Sequence, residues 1–147
     1  MTEPRRWQVN VATPLLTLNA ERTQHWRKRA KYVKAVRTAF TEATLEAGVP
    51  HLDRARMVAQ PLQKRGPLAD ILGHIPTVKA AIHGIVDAGV LEDDRPAYLL
   101  AVVCRPPIFH VTTGLAIAII DLGPVVRYSD PHLADVPPAS TEGAPRA

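Results

Sequence analysis

Residues 69–94 read ADILGHIPTVKAAIHGIVDAGVLEDD. Pro76 suits the first turn of a helix, where its missing N–H has no partner to lose, and Asp87 and Gly89 mark that helix's end. The stretch therefore predicts a helix over about 76–88. Val78, Ala81, Ile82 and Ile85 give it an apolar face, and Lys79, His83 and Asp87, four apart, give it a polar stripe. Asp70 stands before the helix and Glu92, Asp93 and Asp94 stand after it. Carboxylates at both ends of one short helix, with a single lysine inside it, suit a site that holds a hard divalent cation near phosphate. Read singly, Lys79 and Asp87 are also ordinary helix-surface charges.

Asp70 and Asp94 are far apart along the chain but can meet. A helix of a dozen residues is about 18 Å long. The segment from Gly89 to Asp94 spans about 20 Å when extended. Spacing permits the reunion without compelling it. Together the acids would bind Mg²⁺ or Mn²⁺ through oxygen, and a nearby lysine would stabilise charge on phosphate.

Outward from this stretch, the chain alternates strand and helix patterns. Trp7 to Val11 has the period-two alternation of a half-buried strand, and Leu15 to Asn19 reads as extended or loop. Residues 22–47 lack Gly and Pro and are stopped by Gly48 and Pro50, which predicts one long helix. Its core stripe is Trp26, Ala30, Val33, Val36 or Arg37, and Phe40. Trp26 reads first as a core anchor and second as a base-stacking platform. Residues 53–62 read as a strand with Ala55, Met57 and Ala59 on one face. Lys64 and Arg65 sit in a loop bounded by Pro61, Gly66 and Pro67. Tyr98 to Cys104 is continuously apolar, as in a central strand buried on both faces, and Gly114 to Leu122 reads as its partner. The order predicts an α+β domain, a mixed sheet packed with two main helices. Residues 1–128 form that domain, and the Pro-rich residues 129–147 read as a flexible tail.

The 147 residues carry a net charge of +4. Residues 1–65 hold 13 Lys and Arg against 5 Asp and Glu, whereas residues 66–147 hold 5 against 9. This split suits a protein that grips a polyanion with one half and holds a cation with the other; a solvated basic face is the plainer alternative. Arg22, Arg27, Lys28, Arg29, Lys31, Lys34 and Arg37 follow one another with no acid among them, favouring nucleic acid. One cysteine, Cys104, excludes an internal disulfide and a multi-cysteine zinc site. The longest apolar run, 115–120, is too short to cross a bilayer, and the N-terminus lacks the apolar core of a signal peptide, so a cytoplasmic location is expected.

The segment from Asp70 through Pro76-Thr77, Lys79, His83, Asp87 and Gly89 to Asp93-Asp94 resembles the RusA family of Holliday-junction resolvases. It is most similar to the branch common in actinobacteria and their phages, in which an Asp precedes a Pro-Thr-x-Lys helix and an Asp-Asp pair follows it. Leu18-Asn19 and His25-Trp26-Arg27-Lys28-Arg29 look like that branch's N-terminal pattern. The likeness runs from about residue 7 to residue 122.

The resemblance implies a small, homodimeric, Mg²⁺- or Mn²⁺-dependent endodeoxyribonuclease that nicks four-way DNA junctions symmetrically in recombination and repair. It implies Asp70, Lys79 and Asp94 as catalytic residues and Asp70, Asp93 and Asp94 as metal ligands. His25, Arg27, Lys28, Arg29, Lys31, Lys34, Lys64 and Arg65 would contact DNA. Three positions depart from the pattern: Leu72 replaces a second Asp or Asn, Gly73 replaces an Asn, and His83 replaces the helix Asp. Leucine supplies no metal oxygen, and imidazole suits Mn²⁺ better than Mg²⁺. The alternative expectation is a RusA-like fold that binds branched DNA and cuts it poorly or not at all.

Overall fold

A computed structural model describes residues 3–124. Eight elements follow in order: β1 (Arg6–Ala12), α1 (Leu18–Thr23), α2 (Trp26–Glu46), β2 (Ala55–Gln63), α3 (Ile75–Asp87), β3 (Leu99–Cys104), β4 (Ile108–Phe109) and β5 (Gly114–Asp121). The chain is a small α+β domain with a mixed sheet and three helices. The sheet order is β1-β5-β2-β3, with β4 also pairing β2. β5 runs antiparallel to both β1 and β2, whereas β2 and β3 are parallel. Parallel neighbours need a crossover, and α3 supplies it. The tail expected over 129–147 lies outside the described residues.

Alternation decides which side of the sheet the helices cover. Val9, Ala55, Met57, Ala59, Leu115, Ile117 and Ile119 are buried on one face. Val36 and Phe40 of α2 and Val78, Ala81, Ile82 and Ile85 of α3 meet them in one cluster. Two helices pack closely because Gly84 has no side chain. A Cβ there would lie 2.3 Å from the Arg37 carbonyl oxygen and 2.9 Å from the Phe40 Cβ. Gly84→Ala should therefore destabilise the fold by about 2 kcal/mol despite alanine's better helix propensity, because a backbone carbonyl cannot swing aside. Thermal unfolding should show a melting temperature lower by roughly 8 °C. An unchanged or higher value would mean that α2 and α3 do not approach so closely.

Polar ties lock the same interface. Thr77 is buried at the start of α3; its hydroxyl accepts from the Leu16 N–H at 2.8 Å and lies 2.8 Å from the Tyr32 hydroxyl. Arg37 forms a two-pronged ion pair with Asp87, one prong being Nη2 to Oδ1 at 2.8 Å. This pairing holds the Asp87 carboxyl below the usual carboxylate range and raises the Arg37 guanidinium. Arg37 is therefore committed within the fold.

Four expectations from the sequence are corrected. The long helix of 22–47 is two helices, because Gln24 is extended and the His25 side chain accepts from the Arg27 N–H to cap α2. Leu18 and Asn19 open α1 instead of extending a loop, with Thr17 accepting from the Ala20 N–H as its cap. Trp26 is no core anchor: it is 60% exposed, and the buried residues of α2 are Val36, Phe40 and Thr44, all in its second half. The apolar run ending at Cys104 is not a central strand. Among the described residues β3 pairs only with β2, at the edge, and Val102 and Val103 are exposed. The interior strands are β5, which pairs with β1 and β2, and β2, which pairs with β5 and β3.

Candidate functional site

A groove of about 360 Å³ runs between α3 and the edge strand β3. Lys79, one turn into α3, and His83, one turn further, both line it because four residues return a side chain to the same stripe. Asp94 reaches it from the loop after α3, and its Oδ2 lies 3.2 Å from His83 Nε2. Leu72 lines it too, and Val78, Ile82, Leu99 and Val102 supply apolar walls. Positions 72, 79, 83 and 94, which the resemblance singles out, thus share one groove. The residues at two of them, leucine and histidine, change what that groove can do.

The remaining acids are placed elsewhere. Asp70 is exposed and lines a different cleft, with Thr17, Asn19 and Arg22. Its carboxylate lies against the turn at Gly73, where a Cβ would sit 3.1 Å from Asp70 Oδ1 and 2.9 Å from the Ala69 Cβ. An asparagine at 73 would force this turn to shift, so the loop is packed for glycine. Asp93 is taken by Arg95, whose Nε donates to it at 2.6 Å and whose backbone N–H donates at 2.7 Å. Asp87, at the end of the polar stripe, belongs to the Arg37 pair.

His74 is only 4% exposed at the start of α3. Neither of its ring nitrogens has a hydrogen-bond partner among the described residues. Burial lowers its pKa, opposed by the nearby Asp70 charge. It is thus held towards the neutral form.

Mg²⁺ needs near-octahedral oxygen coordination, and Mn²⁺ also favours carboxylate and water. Among the described residues no group of three His, Cys, Asp or Glu side chains is arranged to hold a metal ion. Among the described residues the groove offers one carboxylate, Asp94, already hydrogen-bonded to an imidazole. The described donors of a single chain therefore do not fit a hard divalent cation.

The basic residues are better gathered. Arg27, Lys28, Arg29, Lys31 and Lys34 are all exposed on the first half of α2. At 100° per residue, Arg27, Lys31 and Lys34 form one stripe on the side away from Val36 and Phe40. At the helix start, the His25 and Trp26 rings stack with centroids 5.8 Å apart, and the Arg27 guanidinium lies 5.1 Å from the Trp26 ring centroid. An exposed aromatic between two cationic or cationisable groups offers bases a stacking surface. Lys64 and Arg65 are exposed on the separate loop after β2.

The Leu72 position was legible only through the resemblance, while the His83–Asp94 contact had no local signal in an eleven-residue separation. Leu99, Val102 and Cys104 also line the groove, which follows from the edge position of β3 and not from its uninterrupted apolar character. No helix among the described residues is long and apolar enough to cross a membrane. No family model matches the chain, and no curated protein matches it.

Proposed function

We propose that this chain is a RusA-like protein that binds branched, four-way DNA in the cytoplasm and whose capacity for cutting is impaired. The observation that carries this reading is the exposed first half of α2: a cationic stripe, free of acids and turned away from the core, beginning at the His25–Trp26–Arg27 stack. Backbone phosphates would meet the stripe, and an unpaired base at a branch point would meet Trp26. Self-association as a homodimer is supported by the outer edge of β3, where Val102 and Val103 are exposed and no strand among the described residues pairs. Two-fold symmetry matches the symmetry of a four-way junction.

Fluorescence anisotropy with a labelled synthetic four-way junction tests this reading. An unlabelled duplex of equal length should compete at least tenfold less well than unlabelled junction. Equal competition would reduce the protein to a non-specific polyanion binder. Absence of salt-sensitive binding to either would remove DNA from the account.

A second reading, a metal-dependent endodeoxyribonuclease resolving such junctions, is favoured by one observation. Lys79 and Asp94 line the same groove, where the resemblance places catalytic residues. Against it stand Leu72, His83 and the separate cleft of Asp70.

A further inference from the structure

The sheet face turned away from α2 and α3 is not covered by any described helix. On it, register aligns residues in rows across three strands. Asn10 of β1 faces Ala116 of β5, which faces Gln60 of β2; one row along, Gln8, Ala118 and Val58 align in the same way. Gly114 continues the central lane of small residues. Larger side chains on both sides make this lane the floor of a trough of about 520 Å³, within the range of small-ligand pockets. The outer strands lie roughly 10 Å apart, two sheet spacings.

The ionisable groups that line the trough are of one kind. They are Arg6, Arg105 and His110, and no Asp or Glu among the described residues joins them. Gln60 Nε2 is occupied, donating to the Pro106 carbonyl at 2.7 Å and the Pro61 carbonyl at 3.1 Å, so Gln60 presents its Oε1 acceptor to a ligand. Gln8 Nε2 donates to Asn10 Oδ1 at 3.1 Å, so Asn10 presents its Nδ2 donors. The Asn10 donors and the Gln60 acceptor stand on opposite sides of an alanine floor, and Arg6 and Arg105 also line the trough.

We propose that this trough binds a nucleoside phosphate. The planar base lies over Ala116 and Ala118, its edges meet the Asn10 and Gln60 carboxamides, and its phosphate meets Arg6 or Arg105. Carboxamides pair readily with base edges, and guanidinium matches phosphate with two parallel hydrogen bonds. The same chemistry comes from a free nucleotide or from an unpaired nucleotide in a DNA strand; only the second source rests on the branched-DNA reading. A second copy of the chain is the competing occupant. It would set one acid-free cationic trough against another, so charge favours the nucleotide.

Isothermal titration of the full chain with dAMP, with inorganic phosphate and with a short single strand tests the proposal. The expected result is dAMP binding at least tenfold tighter than phosphate. Ala118→Leu, which fills the lane from the open face, should weaken dAMP binding at least tenfold with little change in melting temperature. The double variant Arg6→Ala/Arg105→Ala should weaken it by a similar factor. Displacement of the labelled single strand by dAMP would place an unpaired nucleotide in the trough, whereas dAMP binding without such displacement would assign it to free nucleotides. Substituting the α2 cations should leave dAMP binding unchanged, so failure of the helix reading and failure of this one are separable. Equal binding of dAMP and phosphate, no binding of either by the folded chain, or loss of a dimer in Ala118→Leu with dAMP binding intact would each overturn the proposal.

Discussion

The double variant Leu72→Asp/His83→Asp is expected to show a far larger divalent-cation response than the natural sequence. Leu72, His83 and Asp94 line one groove beside Lys79. Two new carboxylates there, joining Asp94, would supply the oxygen donors that a hard cation requires. Replacing His83 also releases Asp94 from its imidazole contact. Leu72 is 55% exposed, so its loss removes little buried apolar surface. Binding at a free metal concentration a hundred times the dissociation constant stabilises the folded state by about 2.7 kcal/mol. For a domain of this size that raises the melting temperature by roughly 10 °C. Differential scanning fluorimetry with and without millimolar Mn²⁺ reads the difference. The natural chain should shift by no more than about 1 °C under the same conditions, a small fraction of the stabilisation that tight binding brings. If neither protein responds, positions 72, 83 and 94 do not converge as described.

Removing the α2 stripe should produce the other large effect. Arg27, Lys31 and Lys34 are exposed, lie on one side of the helix and have no acidic partner among the described residues. Each phosphate neutralised contributes about 0.9 to the slope of log affinity against log salt. The triple variant Arg27→Ala/Lys31→Ala/Lys34→Ala should thus lower that slope by nearly three. Between 50 and 200 mM salt the natural chain would lose about 40-fold more junction affinity than the variant. Melting temperatures should stay close, since these side chains lie opposite the core-facing stripe of α2. An unchanged salt slope would mean that α2 is a solvated basic face and nothing more.

The contrast between the two sites explains why the sequence was readable in some places and misleading in others. Period-two alternation in β1 and β2, and the Pro76 and Gly89 boundaries of α3, are local signals that survive into the fold. The break between α1 and α2 is set by a capping interaction of the His25 side chain, which polar composition does not distinguish from a continuing helix. Trp26 illustrates the same limit: helical phase gives direction, whereas burial depends on whether another element packs against that turn.

The exchange of roles between β3 and β5 has a different cause. Uninterrupted apolar character marks a segment as water-averse but does not say where it stands in a sheet. The more telling pattern was in β5, where Leu115, Ile117 and Ile119 alternate with Gly114, Ala116 and Ala118. Large residues face the helices, and small residues face the open side. Around the candidate site, the sequence identified positions better than chemistry. Residues 72, 79, 83 and 94 share a groove, but Asp70 lines another cleft, and no spacing rule could have told the two apart.

The measurement closest to the central claim is incubation of a labelled synthetic four-way junction with the full chain at saturating protein, in Mg²⁺ and separately in Mn²⁺. The account predicts a stable, salt-sensitive protein–junction complex and intact strands on a denaturing gel. Paired nicks at symmetric positions, abolished by Asp94→Asn while binding persists, would contradict it and would establish that the groove still assembles a cutting centre.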